Sequence, residues 1–572
     1  MLWRRYLYFV LIIISEPKIR CGQFSYDMIS QSNYIIFTAP DTPRDFSKPI
    51  HTPRKCKFQC GNYNKKLVKD ILIYNGVQQS LDHKFSIYWG NSTETSNQEA
   101  SNPLFRFNHF PNSKTFLGNK AEFAYSIQKN PAYNSFSKFM PYTYILPRDR
   151  EQLFKSMKSH PQSSYIVKPP NGSCGNGIKL VTYSDFYYIT PNSVVSEYIS
   201  RPLCIDGFKF DLRVYVLVTS FAPLRAFVSK EGLARFATES YSPAAGSVYS
   251  HLTNATLNKK SKNWENGAFK WKLSELLHEI AHRWNHSQQS MMEQITSIVA
   301  KTLAFVQPSM APRERKRLVE PYFELFGFDI IFDRSFKPYV LEINCMPSLN
   351  TEEDVDFEVK APLVAQALSI AGIPDLSYEQ LGAAIANFKL PQGGLDQIED
   401  EIIRQENDRN RLSGNGFIRI FPSEASNEFS QLIFSPKVSI KTLGIQIEQR
   451  FSQTLPALVP HQSVSTEQGL TILIYYLNQI EQKLRTVSDP RLVSRVQCFL
   501  VAQGYRVARG VVGVRALLLH FINKMRGWAA MTKVTISDGL REEIINGNDD
   551  WFKKTLLSCD LTMVKNIRLL FK

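Results

Sequence analysis

The chain has 572 residues, 43% hydrophobic and 21% charged, an ordinary globular composition with room for three or four domains. It carries 68 Lys and Arg against 52 Asp and Glu, a net charge of +16, so acidic partners are expected. No RNP, zinc-finger or helix-turn-helix pattern is present, which argues against nucleic acid. The eight cysteines are scattered, with no second pair to match Cys56 and Cys60. They read as reduced thiols rather than a disulfide framework or a zinc site.

Taken in order, Arg4 and Arg5 precede an apolar run over residues 6–14. That run is too short to span a bilayer and reads as a signal-peptide core, a buried strand or a wrongly assigned gene start. The sequons at Asn171 and Asn254 fall inside the site proposed below, where a glycan would block chemistry. This speaks against secretion and for a cytoplasmic chain with no membrane partner. Residues 1–65 lack a sustained period and read as a loose leader. From residue 66, "LVKDILIYNGVQQS" predicts a helix and turn and "KFSIYWG" a strand. Between residues 140 and 375 apolar strands alternate with helical runs. "FKFDLRVYVLVTS" and "RAFVSKEGLARFA" form an expected sheet pair, "SELLHEIAHRW" and "MMEQITSIVAKTLAFV" expected helices. The class expected is α+β with a substantial antiparallel sheet. Residues 376–415 are charged and polar, a linker or exposed helix. Residues 416–572 read as a basic, mostly helical extension; over 401–572, 23 Lys and Arg outnumber 15 Asp and Glu.

Three segments carry chemistry. In "IVKPPNGSCGNGIKLV", Lys168 ends a strand, a loop with Gly172, Gly175 and Gly177 follows, and Ile178 opens the next strand. Such a loop lets backbone amides close over phosphates while the lysine adds a point charge. No helix or Gly-Lys-Ser follows, so it is neither a Walker A loop nor a Rossmann turn. In "FKFDLRVYV", Lys209, Asp211 and Arg213 share one strand face. In "FGFDIIFD" and "YVLEINCMPSL", Asp329, Glu342 and Asn344 are embedded in apolar residues. Buried carboxylates need a partner or a metal, and an all-oxygen set suits Mg²⁺ beside nucleotide phosphates. Together these follow the logic of phosphoryl transfer, in which charge neutralisation and positioning dominate. Each segment also has a plain structural reading: a turn, a solvated edge, a salt bridge.

The phrases "NHFP", "YIVKPP", "GNGIKL", "EYISRPLCIDGFKFDLRVYVLVTS", "EGLARFATESYSP", "HLTNATLNKKS", "FKWKL", "ELFGFDIIFD", "YVLEINCMPSL" and "EVKAPLV" run in order across about 105–375. In them the sequence resembles the tubulin–tyrosine ligase-like family, which has an ATP-grasp fold, and within it the polyglutamylase branch. "GFIRIFP" at 416–422 resembles a motif just beyond the core of some members. The resemblance implies a catalytic region over 66–375, ATP and Mg²⁺ as cofactors, and free glutamate and tubulin or microtubules as substrates. It implies a cytoskeletal address, with cilium and basal body included. By position, ATP contacts would come from Lys168, Gly175, Gly177, Ile178, the hinge Ser196, Glu197, Tyr198 and Ile199, then Lys209, Asp211, Thr253 and Asn254. Lys168, Lys209, Arg213 and Glu342 would be catalytic, and Asp329, Glu342 and Asn344 would hold Mg²⁺. The incoming glutamate would meet Arg235, Lys270, Lys360 and the Ala255–Thr256 position, and the protein substrate would meet Cys174. Cys174 replaces the family's usual Arg or Gln, and Ala255 its usual Tyr, which touches chain initiation and glutamate selection respectively. The implied reaction phosphorylates a glutamate γ-carboxylate of the tubulin tail, and the amine of free glutamate then attacks the acyl phosphate. A related glycine ligase, a glutamylase of another protein, and a catalytically weak microtubule-binding module are the alternatives.

Overall fold

Short apolar pieces of the N-terminal third assemble into a four-stranded parallel sheet. It comprises β1 (Lys57–Cys60), β2 (Gln78–Gln79), β3 (Ile87–Trp89) and β4 (Arg106–Phe107), in the order β2-β1-β3-β4. The computed structural model describes residues 34–47, 52–61, 66–81, 84–90, 105–134, 139–171, 177–243, 248–253, 258–263, 269–312, 314–315, 321–377, 380, 394–434 and 437–438, all within one unit, Met1–Gln449. The reading of 1–65 as a loose leader does not hold over 34–47 and 52–61. Ile35 and Phe37 are buried, and the Ile35 amide donates to Ile373 O at 2.9 Å. These runs of four or five residues are too short to show a period, and only the tertiary partner defines them.

A second sheet holds β5 (Thr143–Ile145), β6 (Tyr165–Lys168), β7 (Lys179–Val181) and β8 (Val194–Glu197), antiparallel in the order β5-β8-β6-β7. The helix Arg150–Ser159 seals it, with Leu153 and Met157 packed on Tyr165, Val167 and Val195.

The central sheet is antiparallel. It contains β9 (Cys204–Ile205), β10 (Phe208–Phe221), β11 (Leu224–Phe236), β12 (Lys270–Lys272), β14 (Glu324–Phe332), β15 (Pro338–Asn344) and β16 (Phe417–Phe421). Its path is β12-β11-β10-β14-β15, with β9 on β10 and β16 on β11. Outside it, β13 (Glu314–Arg315) pairs with β17 (Lys437–Val438). Strand β10 is apolar on both sides because it is covered on both sides. Leu212, Val214, Val216 and Val218 join a core with the helices Leu273–Trp284 and Gln288–Met310. Tyr215 and Leu217 face the opposite core, under the helices Lys66–Tyr74 and Asp354–Ala371. Period-two alternation thus divides one strand between two cores.

The stretch expected as a linker or exposed helix contains the helix Gly394–Leu412. Its buried positions, Ile402, Gln405, Glu406, Arg409 and Asn410, follow helical spacing. Four of the five are polar, so no apolar stripe reveals the face. Arg409 donates to Ile370 O at 3.0 Å, and Glu406 accepts from Arg419 at 2.9 Å. Strand β16 then joins β11 in antiparallel register, Val228 opposite Ile418. The folded body therefore continues beyond Gly416, where the extension was expected to begin. The rest of that extension, from residue 439, lies outside the described residues, as do residues 1–33.

Candidate active site

The second and central sheets face each other across a cleft. From the second sheet come Lys168 at the end of β6 and Ser196 and Glu197 at the end of β8; from the central sheet come Lys209, Asp211, Asp329 and Glu342. Ile178, Tyr198, Ile199 and Thr253 complete the predicted set that lines it. Strand pairing puts the charges together: Asp211 lies opposite Arg235, Arg213 opposite Asp329, and Asp329 opposite Glu342.

The result is a chain of alternating charge. Arg235 donates to both oxygens of Asp211 at 2.7 and 2.8 Å and pairs with Asp329 Oδ2 at 2.9 Å. Arg213 Nε donates to Asp329 Oδ1 at 2.7 Å. Thr253 Oγ1 donates to Asp211 Oδ2 at 2.5 Å. Burial alone would favour a neutral Asp329, but Arg213 and Arg235 outweigh it and hold the carboxyl well below the usual range. Burial likewise opposes the charge of Arg235, and the two aspartates outweigh it, so its pKa is raised. Gly327, one strand over, leaves room for this arrangement: a Cβ there would sit 2.9 Å from Arg213 Cδ.

The lysines are held differently. Lys209 Nζ donates to His251 O at 2.7 Å and Tyr198 Oη at 3.1 Å. Burial pushes its pKa down to about 8, against the pull of Asp211. Burial also lowers Lys168, with Glu342 opposing the shift. Among the described residues neither ammonium group has a carboxylate partner at hydrogen-bond range, so a phosphate in the cleft would supply the missing charge.

Lys270 and Lys360, predicted for the amino acid, converge on the buried Asp356. Lys270 Nζ donates to Asp356 Oδ2 at 2.9 Å and Lys360 pairs with Oδ1 at 2.6 Å. Lys270 stands opposite Arg235 across β11 and β12, which joins this cluster to the first. Cys174, Gly175, Asn254, Ala255 and Thr256 lie outside the described residues. Gly177 is described, with φ +72°.

Two carboxylates in direct register and one amide form the predicted metal set. Asn344 Nδ2 donates to Gly327 O at 3.4 Å. Among the described residues no group of three His, Cys, Asp or Glu side chains could hold a metal; the predicted set of two carboxylates and one amide offers oxygen donors only. That fits Mg²⁺ shared with a phosphate rather than a closed protein cage.

Sequence reading missed Lys120, Thr143, His251 and Asp356. Lys120 Nζ lies 3.4 Å from Glu342 Oε2, and its amide donates to Pro170 O at 3.1 Å. In the sequence it is one lysine at the start of an amphipathic helix, with nothing to separate it from a solvated one. Thr143 lines the cleft and bonds Ser196 Oγ at 2.9 Å.

The pattern described as "Tubulin-tyrosine ligase family" matches residues 97–380, the span that contains the second sheet, the central sheet except β16, and every charge that lines the cleft. Residues 97–380 are a tubulin–tyrosine ligase family domain. Relatives of this domain include the tubulin polyglutamylase ttll-4 of Caenorhabditis briggsae, 35% identical over 308 residues, 52% of this chain and 51% of that protein. The tubulin monoglutamylase TTLL4 of Homo sapiens is 34% identical over 300 residues, 50% of this chain and 25% of that protein. The tubulin polyglutamylase TTLL5 of Homo sapiens is 31% identical over 441 residues, 66% of this chain and 34% of that protein. The chain thus spans about half, or less, of the curated relatives it matches, and its likeness falls on the glutamylase branch of the tubulin–tyrosine ligase family. Among the described residues no helix is long and apolar enough to cross a membrane.

Proposed function

We propose that this protein is an ATP-dependent glutamate ligase that extends glutamate side chains of tubulin. The observation that carries the reading is the cleft itself. Two burial-shifted lysines, Lys168 and Lys209, face two carboxylates in register, Asp329 and Glu342, inside a domain whose matched relatives bear glutamylase names. The fold reading is ATP-grasp, with the nucleotide between the two sheets, adenine beside the strand ending at Glu197, and phosphates toward Lys168 and Lys209. Asp329, Glu342 and Asn344 would hold Mg²⁺, whose chemistry there is to neutralise phosphate charge.

In the first step an oxygen of the acceptor γ-carboxylate takes the terminal phosphoryl group, and the bond from that phosphorus to its bridging oxygen breaks. The lysines offset charge that develops on the transferred group. In the second step the amine of free glutamate attacks the acyl carbon, an isopeptide bond forms, and phosphate leaves with the C–O bond. Arg235, Lys270 and Lys360 would orient that glutamate through its carboxylates. No enzyme nucleophile is required. A cytoplasmic, microtubule-associated location follows from the acceptor, and the excess of basic residues after 401 would raise the local concentration of an acidic lattice.

The test is incorporation of labelled glutamate into microtubules with Mg-ATP, for wild type and Glu342→Gln. Incorporation that disappears in the variant supports the ligase. Equal incorporation by both proteins would refute the site, and microtubule binding without incorporation would favour a binding module. Glycine in place of glutamate separates the two ligase readings.

A further inference from the structure

The amino-acid cluster contains one carboxylate that does not behave like the others. Lys270 Nζ has two acidic partners: Asp356 Oδ2 at 2.9 Å and Glu353 Oε1 at 2.5 Å. Asp356 is sealed in, with 3% of its side chain exposed, and is shared with Lys360. Glu353 is 38% exposed. It also occupies the N-cap position of the helix Asp354–Ala371, yet its side chain makes no capping hydrogen bond. At an N-cap the short side chains Ser, Thr, Asp and Asn ordinarily satisfy the helix's terminal amides; the longer Glu353 reaches a lysine instead.

The geometry points to Glu353 as an internal stand-in for a carboxylate of the incoming amino acid. We propose that it neutralises Lys270 while the pocket is empty and is displaced when a free amino acid binds. Asp356, by contrast, is the fixed counter-ion that keeps Lys270 and Lys360 together. The physical grounds are three. The Glu353 carboxylate is the solvent-exposed partner of its pair, 38% against 9% for Lys270, and an exposed carboxylate exchanges more readily with solvent and solutes. A buried carboxylate shared by two ammonium groups does not. Finally, Glu353 stands at the terminus of the helix Asp354–Ala371, where the partial positive charge favours an anion, so displacement does not strand it. Glu353 and Asp356 are positioning residues: both act through Lys270, and neither need touch the substrate. The inference rests on the reading of Lys270 and Lys360 as the amino-acid pocket.

Two neighbouring acids should therefore shift glutamate affinity in opposite directions. In the full chain, with saturating ATP and microtubules, Glu353→Gln removes the competitor and should lower KM for glutamate about two- to fivefold, the range of an exposed pair, with kcat unchanged. Asp356→Asn frees the two lysines and should raise KM by about tenfold or more. A merely structural role for Glu353 would raise KM, lower kcat or do nothing, and any of those overturns the proposal. Thermal shift with glutamate in the presence of ATP reads the same sign without turnover, and a smaller glutamate-induced shift in Glu353→Gln than in wild type overturns it equally. Wild type without incorporation would refute the ligase reading, whereas wild-type turnover with an unmoved Glu353→Gln constant would refute this inference alone.

Discussion

Lys209 offers a measurement that reads the site before any product is made. Its ammonium is enclosed between Tyr198, His251 and the strand floor, and burial brings its pKa from an ordinary 10.5 to about 8. In the empty protein it is therefore about 90% charged at pH 7, about half charged at pH 8, and about 10% charged at pH 9. If triphosphate holds it charged, nucleotide binding must take up the missing proton: about 0.1 at pH 7, 0.5 at pH 8 and 0.9 at pH 9. Apparent ATP affinity then falls about tenfold from pH 7 to pH 9, about 1.4 kcal/mol. Calorimetry in two buffers of different ionisation enthalpy counts the protons directly. Lys209→Arg keeps a cation at every accessible pH and should flatten both the proton count and the affinity profile. Because burial also lowers Lys168, the same titration on Lys168→Arg separates the two: a midpoint near 8 should survive there. Proton uptake that persists unchanged in Lys209→Arg would refute the assignment. The shift also has a sign for stability. Between about pH 8 and 10.4 the unfolded chain binds more protons at this residue than the folded one, so its contribution to stability rises with pH, by about 3 kcal/mol at most.

Two further outcomes follow from the buried charges. Asp329→Asn leaves Arg213 and Arg235 facing Asp211 with one anion fewer; it should lower stability by about 3 kcal/mol in denaturant titration. Since the folded pKa of Asp329 is depressed, its stabilisation is present above the unfolded value of about 4 and lost as pH falls below it, so acid unfolding should be shallower in the variant. Arg225 pairs with Glu406, which is 3% exposed, and with Glu399, which is 16% exposed. Glu406→Gln should therefore cost about 3 kcal/mol and Glu399→Gln about 1 kcal/mol or less, read as shifts in the urea midpoint.

The central strands were legible because their residues combine two signals. In "FKFDLRVYVLVTS" the apolar run marks a strand covered on both faces, and the charges at its mouth mark where that cover ends; both appear in the structure, with Lys209 and Asp211 in the cleft. Asp329 and Glu342 were legible for the same reason, as acids in apolar surroundings that required partners. What the sequence did not announce was that Asp329 is held by two arginines, since that depends on strand register. The N-terminal strand β1 was missed because four residues carry no period. That the helix Gly394–Leu412 is packed rather than exposed was not legible, because its buried face is built from Gln405, Glu406, Arg409 and Asn410, residues normally associated with solvent. Lys120 was missed because only its tertiary neighbour, Glu342, separates it from any other surface lysine.

The closing of the central sheet separates two lengths of chain that are easily confused. The recognisable region ends at residue 380, but β11 is completed by β16, and Arg225 finds both its carboxylates on the helix before it. A fragment trimmed to the recognisable region would carry an open strand edge from Ala226 to Ser229 and a guanidinium walled in apolar surroundings with no anion. Such edges recruit other chains, so the shortest piece that can be handled in solution is set by residues beyond the region that identifies it.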